Sequence, residues 1–246
     1  AFLFHLTGII FTIFSSGFLS LYISTLFIGI ANGTVEAACN PLVTSVYPNN
    51  KITKLNHFHF WFPGGIVIGT IISFGFAKIN IGWQWQMAVM LIPTLIYVYL
   101  FYGLDFPKTE RVSSGVSTKD MYKALMASLF IFMTICMLGT AITEIFTSQW
   151  VGVLLENVTK SAILVLALVA AVQAFGRSMA GYVVHRISPS GLLLVSAIIA
   201  TIGMYLLSTL NGSSIFIGAI VFGIGLTYFW PTMLGFVAKN IPKSGA

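Results

Sequence analysis

Charged side chains are scarce in this sequence, and their scarcity is the first indication of its class. Lysine, arginine, aspartate and glutamate make up 7% of the 246 residues, whereas an ordinary soluble domain contains about 25%. Apolar runs recur instead, and a helix of about 20 such residues crosses the roughly 30 Å hydrocarbon core of a bilayer. Because backbone amides in lipid must pair internally, the composition excludes an ordinary soluble domain and predicts an all-α membrane protein.

Motifs for catalysis, metal binding and nucleic-acid binding are missing as well. The sequence contains no phosphate-binding glycine loop, no His-Glu-x-x-His helix and no Gly-x-Ser-x-Gly elbow. Its two cysteines, Cys39 and Cys136, stand alone in different apolar segments and are interpreted as small buried thiols. The net charge of +6 comes from basic residues scattered between apolar segments. We therefore expect no enzymatic activity, no metal or other cofactor, and no nucleic-acid partner.

Eight apolar segments follow one another along the chain. They cover about residues 1–14, 18–46, 56–78, 84–103, 121–150, 161–184, 191–210 and 214–238. Clusters of glycine, proline, asparagine and serine separate most of them. The one long polar stretch predicts a linker at 104–120, between an N-terminal bundle of four helices (1–103) and a C-terminal bundle of four (121–246). Because the chain begins inside an apolar run without Met, we expect an internal piece of a longer protein.

The basic residues of the loops support this count of helices. If all eight segments cross the membrane, ten lysines and arginines lie on the side of the linker and two, Lys78 and Lys160, on the other. Cytoplasmic loops are enriched in these residues, so the linker and both chain ends are predicted to face the cytoplasm. The expected location is the cell membrane, with the bacterial inner membrane preferred.

The second segment contains a stripe of small and polar residues. Gly29, Asn32, Gly33, Glu36 and Asn40 share one face at helical spacing. Such a face has to contact protein or water, because a charged carboxylate deep in hydrocarbon costs at least about 2.5–3.5 kcal/mol. Glu36 is therefore predicted to bind a proton or a substrate. The alternative is a structural carboxyl that is hydrogen-bonded to a neighbouring helix.

The fifth and sixth segments contain further polar candidates. Glu144 and Gln149 lie toward the outer end of the fifth segment, where Glu144 is either a ligand contact or a hydrated carboxyl. Gln173 and Arg177 are four residues apart on the sixth segment. Gln173 is interpreted as a ligand contact or an interhelical hydrogen-bonding residue. Arg177, nearer the cytoplasmic end, is interpreted as a gating or packing residue in preference to a substrate contact.

Two other candidates stand near the ends or breaks of helices. His59 lies one turn inside the third segment and is either a functional residue or an interfacial one. Trp230 stands beside Pro231 in the eighth segment. Its ring either packs in the core or offers a flat face to a sugar, and the proline loosens the backbone where a gate could bend.

The helix count and the cytoplasmic linker after the fourth helix resemble the third to tenth helices of the major facilitator superfamily. Gly33 and Gly223 each precede a proline by eight residues, as parallel halves of a transporter predict. Within that superfamily, four motifs are similar to the fucose permease-like sugar:proton symporters. These motifs are Glu36-Ala37-Ala38-Cys39-Asn40-Pro41, Leu55-Asn56-x-x-His59 with Gly65 and Gly69, Gly176-Arg177-x-x-x-Gly181, and Phe229-Trp230-Pro231-Thr232.

The resemblance implies a two-bundle fold, truncated here at both ends, and a monomeric secondary transporter. By alternating access it would move a sugar or similar hydroxylated solute together with protons. Glu36 would couple the proton, Arg177 would gate, and the substrate would contact Asn32, Asn40, His59, Glu144, Gln149, Gln173 and Trp230. The alternatives are a same-fold exporter, a carrier of a non-sugar solute, and a non-transporting sensor. An intramembrane enzyme is disfavoured, because the polar groups are dispersed rather than clustered at one depth.

Overall fold

The computed structural model describes residues 1–155, 157–159 and 162–244, and within these ranges it is helical, without strands. Lys160, one of the two basic residues predicted on the outer side, lies outside them. Eight apolar helices are labelled here in chain order. They are α1 (Phe2–Ile13), α2 (Phe18–Val46), α3 (Lys51–Lys78), α4 (Trp83–Phe101), α5 (Ser128–Leu154), α6 (Ala162–Ser178), α7 (Pro189–Thr209) and α8 (Gly212–Asn240).

Each of the eight apolar segments contains one of these helices, but α3 begins five residues before the predicted segment, and the sixth segment ends in the separate helix Ala180–Val184. Within the described ranges, six are long and apolar enough to cross a membrane, and α1 and α6 are shorter apolar helices. The prediction of an all-α chain is confirmed. Short helices at Glu110–Ser113, Thr118–Leu125 and Ala180–Val184 connect the long ones.

The start of the fifth segment differs from the prediction at residue 121. Thr118–Leu125 forms a separate amphipathic helix, whose first turn is capped when Ser117 Oγ accepts a hydrogen bond from the Asp120 amide. The apolar helix α5 begins only at Ser128, after the break at Ala127. The reason is the charge of the short helix, since its lysines cannot enter the hydrocarbon as cheaply as the apolar residues that come after it.

Prolines follow the breaks inside two of the long helices, α3 and α8. Proline has no backbone N–H, and its ring clashes with the carbonyl four residues earlier. Accordingly α3 is interrupted at Phe60, three residues before Pro63, and α8 is interrupted at Thr227 and Tyr228, before Pro231. Each break joins two helical segments, so both helices contain a joint.

By contacts between residues, the chain divides into two compact units. The first unit comprises Ala1–Leu42 and Ile71–Pro107, and the second comprises Val43–Thr70 and Lys108–Ala246. The predicted bundle and linker boundaries at 1–103, 104–120 and 121–246 stay a prediction.

The second unit contains the larger hydrophobic core. Its centre lies where α7 and α8 pack closely around Phe222, which is fully buried. A Cβ built on Gly203 would lie 2.3 Å from the Phe222 backbone nitrogen, and one on Gly225 would lie 2.3 Å from that of Ala200. Only glycine permits this approach of two backbones, as is common between membrane helices.

Candidate functional site

The middle of α5 places a carboxylate inside the second unit. Residues Ile142–Phe146 wind as a π-helical turn between two α-helical stretches. Such turns are rare and often occur at functional sites. Glu144 lies in the turn and is buried, with 9% of its surface exposed. The alternative of a hydrated carboxyl for Glu144 is therefore disfavoured, because protein surrounds the side chain, whereas its depth in the membrane stays a prediction.

Two side chains of α6 bind this carboxylate. Glu144 Oε1 accepts hydrogen bonds from Gln173 Nε2 at 3.0 Å and from Arg177 Nη2 at 3.2 Å. Gln173 and Arg177 are four residues apart and so share a helical face, and both are buried. Because a buried charge requires a partner, the ion pair of Glu144 and Arg177 accounts for the burial of both.

The remaining donors of Arg177 bind backbone carbonyls of two other helices. Nε donates to the Thr227 carbonyl on α8 at 2.8 Å, and Nη1 donates to the His59 carbonyl on α3 at 3.0 Å. Only 1% of the arginine surface is exposed. Each guanidinium nitrogen therefore has an acceptor, which a buried guanidinium with five N–H donors needs.

A narrow cleft adjoins Glu144 and Gln173. Thr147 and Ser148 line it on the polar side, and the apolar walls include Phe62, Ile66, Leu166, Phe222 and Leu226. The space open to the centre of a water molecule is about 10 Å³, which is room for roughly one water. The cleft therefore has no room for a solute in this structure.

The first unit contains a second line of polar side chains along α2. Asn40 Nδ2 donates to Glu36 Oε2 at 2.6 Å, which joins two residues of the predicted stripe. One turn earlier, Asn32 Oδ1 lies 2.9 Å from His5 Nε2, and His5 Nδ1 lies 3.1 Å from the Tyr97 hydroxyl. These contacts tie α1 and α4 to the helix that contains Glu36.

His5 and Tyr97 are absent from the residues chosen on sequence grounds. A signal for His5 existed, because an ionisable residue within an apolar segment is a functional candidate by default. Tyr97 stands among other tyrosines and apolar residues of α4, and nothing in its sequence context distinguishes it.

The other predicted contacts lie apart from these two clusters. Gln149 is exposed and Trp230 is half-buried, and in the described part of the chain neither side chain has a hydrogen bond to protein. His59 is buried and enters the Arg177 cluster through its carbonyl. Among the described residues, no three His, Cys, Asp or Glu side chains are grouped closely enough to hold a metal ion.

Comparison with known families assigns the chain. The family model of the Major Facilitator Superfamily matches residues 1–246. The chain belongs to this superfamily. No curated protein and no solved structure matches it significantly. Membership confirms the predicted fold class. The superfamily member described here is a multi-pass membrane protein and a secondary transporter of a small-molecule substrate, and members of its family are transporters rather than enzymes.

Proposed function

We propose that this transporter moves a sugar or similar hydroxylated solute together with protons, by alternating access. The observation that carries the proposal is the polar line on α2, where the Glu36 carboxylate accepts from Asn40 at 2.6 Å on an otherwise apolar helix. Amide and carboxylate side chains suit a solute with several hydroxyls. A site that selects such a solute needs buried polar groups, because these are left unpaired by analogues that lack the hydroxyl.

Glu36 is the proposed proton-coupling group because of its position in an apolar helix. A charged carboxylate in hydrocarbon costs at least about 2.5–3.5 kcal/mol, and this cost falls when the carboxyl binds a proton and becomes neutral. Conformational exchange of the carrier is then favoured with the proton bound. The energy of a proton gradient can be coupled to solute movement in this way, since a ligand shifts an equilibrium by its differential affinity for the two states.

Seven side chains are proposed as solute contacts. Asn32 and Asn40 supply amides in the first unit, and Glu144 and Gln173 supply a carboxylate and an amide beside the cleft in the second. His59, Gln149 and Trp230 are proposed as further contacts on the strength of the sequence resemblance. Arg177 is proposed to gate.

The test is uptake of a panel of labelled sugars into vesicles that contain the full-length protein, with and without an imposed pH gradient. In Glu36→Gln, gradient-driven accumulation should be lost, while exchange of labelled for unlabelled solute continues. Glu110→Gln is the matched control, because Glu110 lies outside the membrane helices.

Undiminished gradient-driven accumulation in Glu36→Gln would exclude the proton-coupling role. Uptake of a non-sugar solute, with no sugar of the panel transported, would favour the alternative of a same-fold carrier for another substrate. Both outcomes leave secondary transport itself in place, since that rests on the family assignment.

A further inference from the structure

Two backbone carbonyls in the second unit lose their helical donor to a proline. In an α-helix the N–H of each residue donates to the carbonyl four residues earlier, and proline has no N–H to donate. The His59 carbonyl therefore receives no helical hydrogen bond from residue 63, which is proline, and the Thr227 carbonyl receives none from Pro231. His59 is the last residue before the joint in α3, and Thr227 lies in the joint of α8.

The side chain of Arg177 supplies a donor to both carbonyls. Its Nη1 donates to His59 at 3.0 Å and its Nε donates to Thr227 at 2.8 Å. The guanidinium is a rigid planar fork, so it fixes the separation and direction of the two carbonyls. Glu144 binds the third nitrogen at 3.2 Å and so holds the fork in place.

Neighbouring contacts hold α6 and α8 together at the same joint. The Tyr228 hydroxyl donates to the Gly176 carbonyl at 2.8 Å. A Cβ on Gly176 would lie 2.6 Å from Thr227 Cγ2, so glycine is needed beside Arg177 for this approach. The α6 helix thus presents its arginine to the α8 joint at close range.

We propose that Arg177 is a positioning residue of the transport cycle, which clamps the proline joints of α3 and α8 in one geometry. Because each joint lacks a helical hydrogen bond, bending there meets less resistance than elsewhere in the helix. While the guanidinium stays hydrogen-bonded to both carbonyls, the two joints keep one geometry. When it moves away, both joints become free to bend together. This inference deepens the gating role proposed for Arg177 and is independent of the substrate and of proton coupling.

The first test is a set of double-mutant comparisons in the full-length protein, with thermal unfolding in detergent as the measurement. Arg177→Met should lower the melting temperature. Adding Pro63→Ala and Pro231→Ala should recover part of that loss, because alanine restores the helical donors. The same proline pair in the wild-type background should raise the melting temperature by much less. Pro93→Ala in α4 is the control, since Val89 loses its donor there in the same way, and its effect should be equal in both backgrounds.

The second test measures whether the cleft stays closed. In a full-length protein with Cys39, Cys136 and any further cysteine replaced by alanine, Ser148→Cys in the cleft is labelled with N-ethylmaleimide. Arg177→Met should raise the labelling rate about tenfold, and the added proline-to-alanine pair should lower it again. Arg177→Lys keeps the charge but lacks the fork, so it should label as fast as Arg177→Met.

Either of two results would overturn the clamp. One is an equal effect of the proline pair in the wild-type and Arg177→Met backgrounds, since the carbonyls would then not depend on Arg177. The other is slow, wild-type labelling in Arg177→Lys, which would mean that the ion pair with Glu144 suffices. Neither result depends on sugar uptake, so failure of the clamp is distinguishable from failure of the proposed substrate.

Discussion

Replacing Arg177 with methionine removes three hydrogen bonds at once and leaves a buried carboxylate. The methionine side chain keeps an apolar stem of similar length, so packing is disturbed less than charge. Glu144 retains Gln173 as a donor but loses its counter-ion, and the carbonyls of His59 and Thr227 lose the donors at 3.0 and 2.8 Å.

The expected size of the loss can be worked out from these partners. Removing one member of a buried ion pair costs about 3–5 kcal/mol, because the other charge stays buried without compensation. A carbonyl left unpaired costs about 1–3 kcal/mol in water-soluble proteins, but hydrogen bonds between membrane helices average about 0.6 kcal/mol. The charge term therefore dominates, and we expect Arg177→Met to lose about 4 kcal/mol.

A double substitution separates the charge from the rest. In Glu144→Gln with Arg177→Met no carboxylate is stranded, and the new glutamine still accepts from Gln173. The double variant should therefore be more stable than Arg177→Met alone by about 2 kcal/mol, so the coupling energy between the two positions is at least about that large, as for residues in contact. Glu144→Gln alone should lose less than Arg177→Met, because the arginine keeps the carbonyls of His59 and Thr227 as acceptors.

The assay is thermal or denaturant unfolding of the purified full-length protein, followed with a thiol-reactive fluorescent dye. The half-buried thiols of Cys39 and Cys136 become fully accessible on unfolding and report it. Strictly additive losses in the double variant would refute the ion pair as the source of the stability. So would an Arg177→Met variant that unfolds within about 1 kcal/mol of the wild type.

Two further substitutions test the packing and the first-unit cluster. Gly203→Ala places a Cβ 2.3 Å from the Phe222 nitrogen and should lower the free energy of unfolding by about 1–3 kcal/mol or more through overpacking, measured by the same assay. Gly139→Ala is the control, because no atom lies within 4 Å of its added Cβ. Equal losses in the two variants would contradict the close packing of α7 on α8. His5→Phe keeps a ring but removes the hydrogen bonds to Asn32 and Tyr97. Loss of one such bond, worth about 0.5–1.5 kcal/mol, should raise the solute concentration for half-maximal uptake by up to about tenfold. Unchanged uptake would leave the cluster without a role in binding.

The helices and the shared faces could be predicted from local sequence. Apolar length fixes where a helix can cross a bilayer, and a four-residue spacing fixes which side chains lie together. Glu36 and Asn40 on α2 meet as that spacing predicts, and Gln173 and Arg177 on α6 reach the same carboxylate. These relations depend on only one or two helical turns of chain.

The helix that supplies this carboxylate could not be predicted in the same way. Glu144 is 33 residues from Arg177 along the chain, and it lies in a π-helical turn. Such a turn adds a residue to the helical period, so counting by three and four from the start of α5 gives the wrong face for the residues beyond the turn. Hydropathy also placed the start of the fifth apolar segment wrongly, at residue 121. It does not separate the amphipathic helix Thr118–Leu125 from the apolar helix α5 that follows it in the chain.

The two joints show the same division between local and distant information. Pro63 and Pro231 are visible in the sequence, and the carbonyls that they deprive are found by counting back four residues. The donor that replaces the lost N–H groups is 118 residues from His59 and 50 from Thr227. Such a partner depends on tertiary packing, so the sequence indicates that a donor is needed without indicating which one.

Glu36 and Glu144 occupy different surroundings, and this difference argues for different tasks. Glu144 is paired with a buried guanidinium, so removing its charge would strand the Arg177 cation between neutral acceptors. Glu36 accepts from a neutral amide on its own helix, and that bond is compatible with a carboxyl that gains and loses a proton. Glu144→Gln should therefore lower stability and leave the dependence of uptake on the pH gradient, whereas Glu36→Gln should abolish that dependence. If Glu144→Gln instead abolished gradient-driven uptake in a stable protein, proton coupling would belong to the Glu144 cluster in the second unit.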